Sequence, residues 1–89
     1  MTAGPSATVA VLGAGSWGTA LAMLLARNGL AVRLWDRDSD HIGALDRQRE
    51  NQRHLPGIAL PEDVVPVAGL DEALTESDFV LIAVPSGGF

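Results

Sequence analysis

Three glycines spaced two and then three apart, in Gly13-Ala14-Gly15-Ser16-Trp17-Gly18, limit what this chain can fold into more than any other feature. They interrupt a stretch with no charged side chain before Arg27, which could otherwise be taken for a secretory leader or a membrane span. A secretory leader carries positive charge ahead of its apolar run, and only Thr2 and Ser6 offer polarity here. A spanning helix would have to absorb all three glycines at about 1 kcal/mol each. The stretch therefore divides into strand, turn and helix.

The run Thr8 to Leu12 is short, β-branched and apolar on both alternating faces, as suits a central parallel strand covered on each side. Trp17, Ala20, Leu21, Leu24 and Leu25 recur at spacings of three and four, so they are expected to line one face of a helix from Ser16 to Asn28. Asn28 and Gly29 supply its left-handed cap.

A GxGxxG turn between a strand and a helix suits a dinucleotide, with a separate task for each glycine. Gly13 turns the chain out of the strand, Gly15 leaves room for a pyrophosphate, and Gly18 lets the helix lie close on the strand. Ser16 and Trp17 would offer amides at the positive end of the helix, with the Ser16 hydroxyl as a further donor. The Trp17 ring could equally pack on the sheet or approach the cofactor. Asp36 lies eighteen residues past Gly18, where a carboxylate would bond ribose hydroxyls; the adjacent Arg37 could pair with a 2′-phosphate. These two residues leave NAD and NADP both open. Asp36 could also serve only as a cap for the next helix.

Other glycine loops fit less well. The phosphate loop of ATPases needs lysine and then serine or threonine after its last glycine, where Thr19 and Ala20 stand. The hydrolase elbow GxSxG would need glycine at Ala14. A glycine turn without any ligand is the plainest alternative.

The second strand is expected at Ala31 to Trp35 and a second helix at about Ser39 to Glu50, led by the acids of Asp36 to Asp40. Leu55, Pro56, Gly57 and Pro61 make Asn51 to Glu62 a loop. A short edge strand at Val64 to Val67, a brief helix at Leu70 to Thr75 and a buried strand at Phe79 to Val84 follow. This alternation implies an α/β fold: a Rossmann-type doubly wound parallel sheet, incomplete, with only its amino-terminal half present. Residues 1–7 read as a flexible lead-in and 8–89 as the partial domain. With the remainder of the sheet missing, the last strand would be an apolar edge prone to self-association.

Composition narrows the partners. Eleven acidic residues against six basic ones give a net charge of −5, with no basic stripe to follow a nucleic-acid backbone. There is no cysteine, which fits a reducing cytoplasm and excludes a disulfide framework. His41 and His54 have no partner at metal-ligand spacing and read as surface or helix-end residues.

Beyond the generic loop, Gly13 to Ala22 (GAGSWGTALA), Asn28-Gly29, Leu34-Trp35, Asn51 through Leu55-Pro56-Gly57 to Leu60-Pro61, and Ala83-Val84-Pro85-Ser86 resemble the NAD(P)-dependent glycerol-3-phosphate dehydrogenases. The resemblance implies reversible hydride transfer between dihydroxyacetone phosphate and sn-glycerol 3-phosphate, a phospholipid precursor. It implies a cytoplasmic enzyme, homodimeric at full length and without a membrane span, that takes a small phosphorylated substrate. By position, Ser16 and Trp17 would contact the diphosphate, Arg37 would lie at the adenosine ribose, and Phe89 would be near the cofactor. Asp36 departs from members that carry a small residue there. The family's catalytic lysines and substrate domain would fall beyond residue 89, leaving this chain inactive by itself. A non-catalytic NAD(P)-binding module, or another Rossmann oxidoreductase such as a ketopantoate or hydroxy-acid reductase, are the competing readings.

Overall fold

A computed structural model describes residues 7–75 and 77–83. The expectations for Phe89, for Val84-Pro85-Ser86 and for most of the lead-in lie outside the described residues.

β1 (Thr8–Leu12), α1 (Ser16–Arg27), β2 (Ala31–Trp35), α2 (Ser39–Gln48), β3 (Glu50–Asn51), β4 (Leu55–Ala59), β5 (Val64–Val67), α3 (Leu70–Thr75) and β6 (Phe79–Ile82) follow one another along the chain. Four strands form one parallel sheet in the order β5-β2-β1-β6. The chain thus steps outward from β1 through β2 to β5, then returns to the opposite side of β1. That reversal opens a crevice at the carboxyl ends of β1 and β6.

Alternation along β1 sends its side chains to two separate layers. Val9 and Val11 join Val32, Leu34 and Val64 under Ala22 and Ala26 of α1 and Ile42 and Leu45 of α2. Ala10 faces the other way, with Val67 and Ala73 of α3, flanked by Leu12 and Trp35. The Trp35 indole donates to the Ala68 carbonyl at 3.1 Å, which ties the ring to the lead-in of α3. The central position expected of β1 follows from these two covered faces, and helices on both faces make the sheet doubly wound.

The inner face of α1 is lined by small residues rather than by its large apolar row. Gly18, Thr19, Ala22 and Ala26 are buried, whereas Trp17 is 63% exposed and Leu24 54%. A Cβ on Gly18 would run into the Gly13 carbonyl oxygen and crowd Ala83, so the helix start lies too close for anything larger. Small side chains mark the contact here; Trp17 and Leu24 look outward, while Leu25 packs at the margin of the core.

Three further segments depart from expectation. α2 ends at Gln48, two residues early, because Arg49 takes up the left-handed conformation at φ 55° and its amide bonds back to the Leu45 carbonyl. The Arg49 guanidinium then donates to the carbonyls of Pro61 and Val64, both at 2.8 Å, fastening the chain beyond α2 to the start of β5. The supposed loop after Asn51 contains β4, antiparallel to β3 in a separate two-stranded ribbon. Pro56 and Gly57 exclude it from a sheet centre, but a two-stranded ribbon has free edges that need no donor from proline. Finally, β6 is exposed rather than buried, and so forms the apolar edge expected of the last strand: among the described residues it pairs with β1 alone, and Phe79 and Ile82 are 61% and 71% exposed.

Candidate cofactor site

Leu12 and Gly13 end β1, Trp35 and Asp36 end β2, and Ile82 and Ala83 end β6, and all six border one pocket of about 690 Å³. Its floor is the start of α1, with Gly15, Ser16, Trp17 and Gly18; Arg37 and Asp38 lie on the β2 side. Seven of the eight residues expected at a cofactor are therefore brought together, and the eighth, Phe89, lies outside the described residues.

The three glycines have distinguishable physical grounds. Gly13 sits at φ 119°, and a Cβ there would strike the Ala83 carbonyl oxygen. Gly18 is confined by Gly13 and Ala83, as described above. Gly15 is under neither constraint: its backbone is in the ordinary extended region (φ −80°, ψ −165°), and a Cβ would meet nothing within 4 Å. The space over Gly15 is open: neither its backbone angles nor packing within the chain demands glycine, and beyond glycine's modest preference at an N-cap the position gains by having no side chain only where a group enters that space from outside.

Gly15 is the N-cap of α1 and makes no side-chain capping bond, so the first-turn amides of Ser16 and Trp17 are left to the pocket. The positive end of the α1 dipole points the same way, and no acidic side chain occupies the first turn to offset it. Together these make a cradle suited to an anion.

The β2 side of the pocket is held by carboxylates. Asp36 accepts the Ala14 amide at 2.8 Å through one oxygen and the Asp38 amide at 3.0 Å through the other. Asp36 is thus a tie between the end of β2 and the glycine turn, while Asp38 caps α2 by accepting the His41 amide at 3.2 Å. Asp38 also pairs with Arg53 at 3.2 Å. The His41 amide first, then Arg53, hold the Asp38 carboxyl below its usual value.

Besides the strand-end residues Leu12, Trp35, Ile82 and Ala83, sequence reasoning missed four charged or ionisable lining residues: Asp38, His41, Arg53 and His54. His54 is at the surface and His41 at the start of α2, but the two are in contact. Their rings meet edge to face at 5.4 Å, and His41 is only 4% exposed, with Nε2 donating to the Ala14 carbonyl at 2.8 Å. Asp38 could have been found as an N-cap ahead of α2, but nothing local marks Arg53 or His54. They arrive on the turn between β3 and β4. Among the described residues no group of three or more His, Asp or Glu could hold a metal ion, and no helix is long and apolar enough to cross a membrane.

A parallel sheet in this order, with a glycine turn at its point of reversal, defines a Rossmann-type α/β domain. Over residues 8–89 the sequence matches the family described as the NAD-dependent glycerol-3-phosphate dehydrogenase N-terminus, and the chain belongs to that family. It is 55% identical over 84 residues to the glycerol-3-phosphate dehydrogenase [NAD(P)+] of Halorhodospira halophila, covering 94% of this chain and 25% of that protein. The enzyme of the same name from Xanthomonas campestris pv. campestris is 48% identical over 85 residues, 96% of this chain and 25% of its own length. Among solved structures, glycerol-3-phosphate dehydrogenase from Coxiella burnetii superposes with a TM-score of 0.85 at 45% identity, over 90% of this chain and 25% of that one. The enzyme from Saccharomyces cerevisiae gives 0.76 at 26% identity, over 92% and 27%. The chain spans about a quarter of the length of these relatives.

Proposed function

We propose that this chain is the amino-terminal, cofactor-binding part of an NAD(P)-dependent sn-glycerol-3-phosphate dehydrogenase. The observation that carries the reading is the open space over Gly15, above uncapped first-turn amides and at the reversal point of the sheet. In this reading Gly13, Gly15, Ser16, Trp17 and Gly18 receive the cofactor diphosphate, while Asp36 and Arg37 lie at the adenosine ribose. Phe89 is proposed as a further contact on the strength of its position after the Val-Pro-Ser turn.

The cofactor, when bound, supplies a hydride to the carbonyl carbon of dihydroxyacetone phosphate, while a proton goes to its oxygen, giving sn-glycerol 3-phosphate. This chain's share is to bind and orient. Its first-turn amides neutralise charge on the diphosphate, and the β2 and β6 ends wall the pocket. Residues 8–89 form part of a larger cofactor domain, and the groups that hold the substrate and protonate its carbonyl belong to the remaining length seen in the relatives. The whole protein, in this reading, is a cytoplasmic homodimer that feeds phospholipid synthesis.

A chimaera tests the assignment directly. This chain is put in place of the matching first quarter of the Halorhodospira halophila relative, and oxidation of NADH and NADPH is followed on adding dihydroxyacetone phosphate. Substrate-dependent oxidation is expected from the chimaera and none from the 89-residue chain alone. A folded chimaera that binds cofactor but is inert to this substrate would overturn the substrate assignment.

A further inference from the structure

Behind the glycine turn, the Ala14 carbonyl accepts two side-chain donors at once, His41 Nε2 at 2.8 Å and Asn51 Nδ2 at 3.0 Å. Both side chains are buried, and Asn51 is completely enclosed. A carbonyl cannot donate, so Nε2 is the protonated nitrogen of His41, and both oxygen lone pairs of Ala14 are used. The second Nδ2 proton of Asn51 goes to Thr19 Oγ1 at 2.7 Å, and its Oδ1 accepts the His54 amide at 3.1 Å.

The consequence is directional. The Ala14 carbonyl and the Gly15 N–H share one trans peptide plane, so fixing the carbonyl aims the amide to the opposite side, away from His41 and Asn51. The preceding plane is fixed as well, by Asp36 on the Ala14 N–H. One donor would have satisfied the buried carbonyl; two, from α2 and β3, also remove its freedom to rotate. Through Oδ1, Asn51 holds the turn that carries Arg53 and His54 to the far wall of the pocket.

We propose that His41 and Asn51 are positioning residues for cofactor binding, acting through the Ala14 peptide to aim the Gly15 amide at a diphosphate. The proposal rests on the reading that the pocket takes a dinucleotide. It assigns Asn51 a second task, setting the spacing between the glycine turn and the β3–β4 turn.

The test uses the 89-residue chain with His41→Leu, His41→Gln and Asn51→Leu. Glutamine reaches with an Nε2 donor of its own, so it separates the hydrogen bond from the shape of the ring. NADH affinity is measured by calorimetry, and the amide signals of Gly15, Ser16 and Trp17 are followed by NMR with and without inorganic pyrophosphate. Each leucine variant removes one of the two donors to the Ala14 carbonyl, and His41→Leu is expected to weaken NADH about tenfold; Asn51→Leu, which also unpairs Thr19 and the His54 amide, is expected to weaken it at least as much. Their Gly15 signal is expected to shift or broaden without ligand while Val9 to Val11 keep theirs, and His41→Gln is expected to restore most of the affinity. Leucine variants that melt earlier yet keep the Gly15 signal and the affinity overturn the proposal, as does a glutamine variant no better than leucine. Should Asn51→Leu not fold, the His41 pair decides. A parent chain that binds neither NADH nor pyrophosphate, with Gly15 ordered, overturns the dinucleotide reading instead.

Discussion

The Asp36 carboxylate accepts the amide proton of Ala14 at 2.8 Å across 22 residues of sequence. The residue proposed to lie at the ribose thus also holds the glycine turn. Asp36→Ala leaves the Ala14 N–H without its partner, and the Asp38 amide likewise, at a cost of about 1–3 kcal/mol. The urea midpoint is expected to fall accordingly, and NADH affinity with it. Unchanged midpoints would mean that the turn holds its shape without Asp36.

Gly15 and Gly18 are expected to respond oppositely to a side chain. Gly15→Val places its Cβ in open space on an extended backbone, so the fold is expected to lose no more than about 1 kcal/mol at the cap. Its NADH affinity is expected to vanish in calorimetry. Gly18→Ala drives a Cβ into the Gly13 carbonyl and is expected to cost about 1–3 kcal/mol in thermal or urea unfolding. Binding that survives valine at Gly15 would remove the close-approach argument.

Acid stability carries the signature of Asp38. The His41 amide and the Arg53 guanidinium lower its folded pKa, so its contribution is present above the unfolded value, about 3.9, and is lost as pH falls through the folded one. Asp38→Ser keeps a capping oxygen and removes the titrating group. Melting temperatures followed from about pH 6 down to about pH 3 are expected to fall more steeply in the parent than in the serine variant. Parallel profiles would assign the acid sensitivity to other carboxylates.

The strands and helices of the main sheet were legible because each rests on local signals. The β-branched run of β1, the Asn28-Gly29 stop and the VVPV edge of β5 all act within a few residues. The glycine turn was legible for the same reason. What sequence could not reveal is closure at a distance: Asn51 meets Ala14 and Thr19 only because the β3–β4 ribbon folds back over α1. Which face of α1 meets the sheet was not legible for a related reason. Large apolar residues at helical spacing mark a greasy side, but the close approach at Gly18 selects Thr19, Ala22 and Ala26 for the sheet. His41 was read as a surface or helix-end residue and does stand in the first turn of α2, but only the fold reveals the carbonyl that it reaches.

The final expectation concerns β6, which among the described residues stands at the sheet edge with Phe79, Val80, Leu81 and Ile82 all exposed. An apolar strand in that position is a template for another strand, so the 89-residue chain is expected to self-associate with rising concentration in sedimentation velocity. Val80 lies away from the pocket lining, and Val80→Lys puts a charge on this edge while leaving the register with Ala10 available. That variant is expected to shift the chain toward monomer without loss of NADH affinity. In the chimaera with the longer relative the same substitution should act in the opposite sense, lowering the melting temperature, because an edge that the added chain covers no longer tolerates a lysine. A monodisperse parent chain at high concentration would show that β6 is protected by something other than a neighbouring strand.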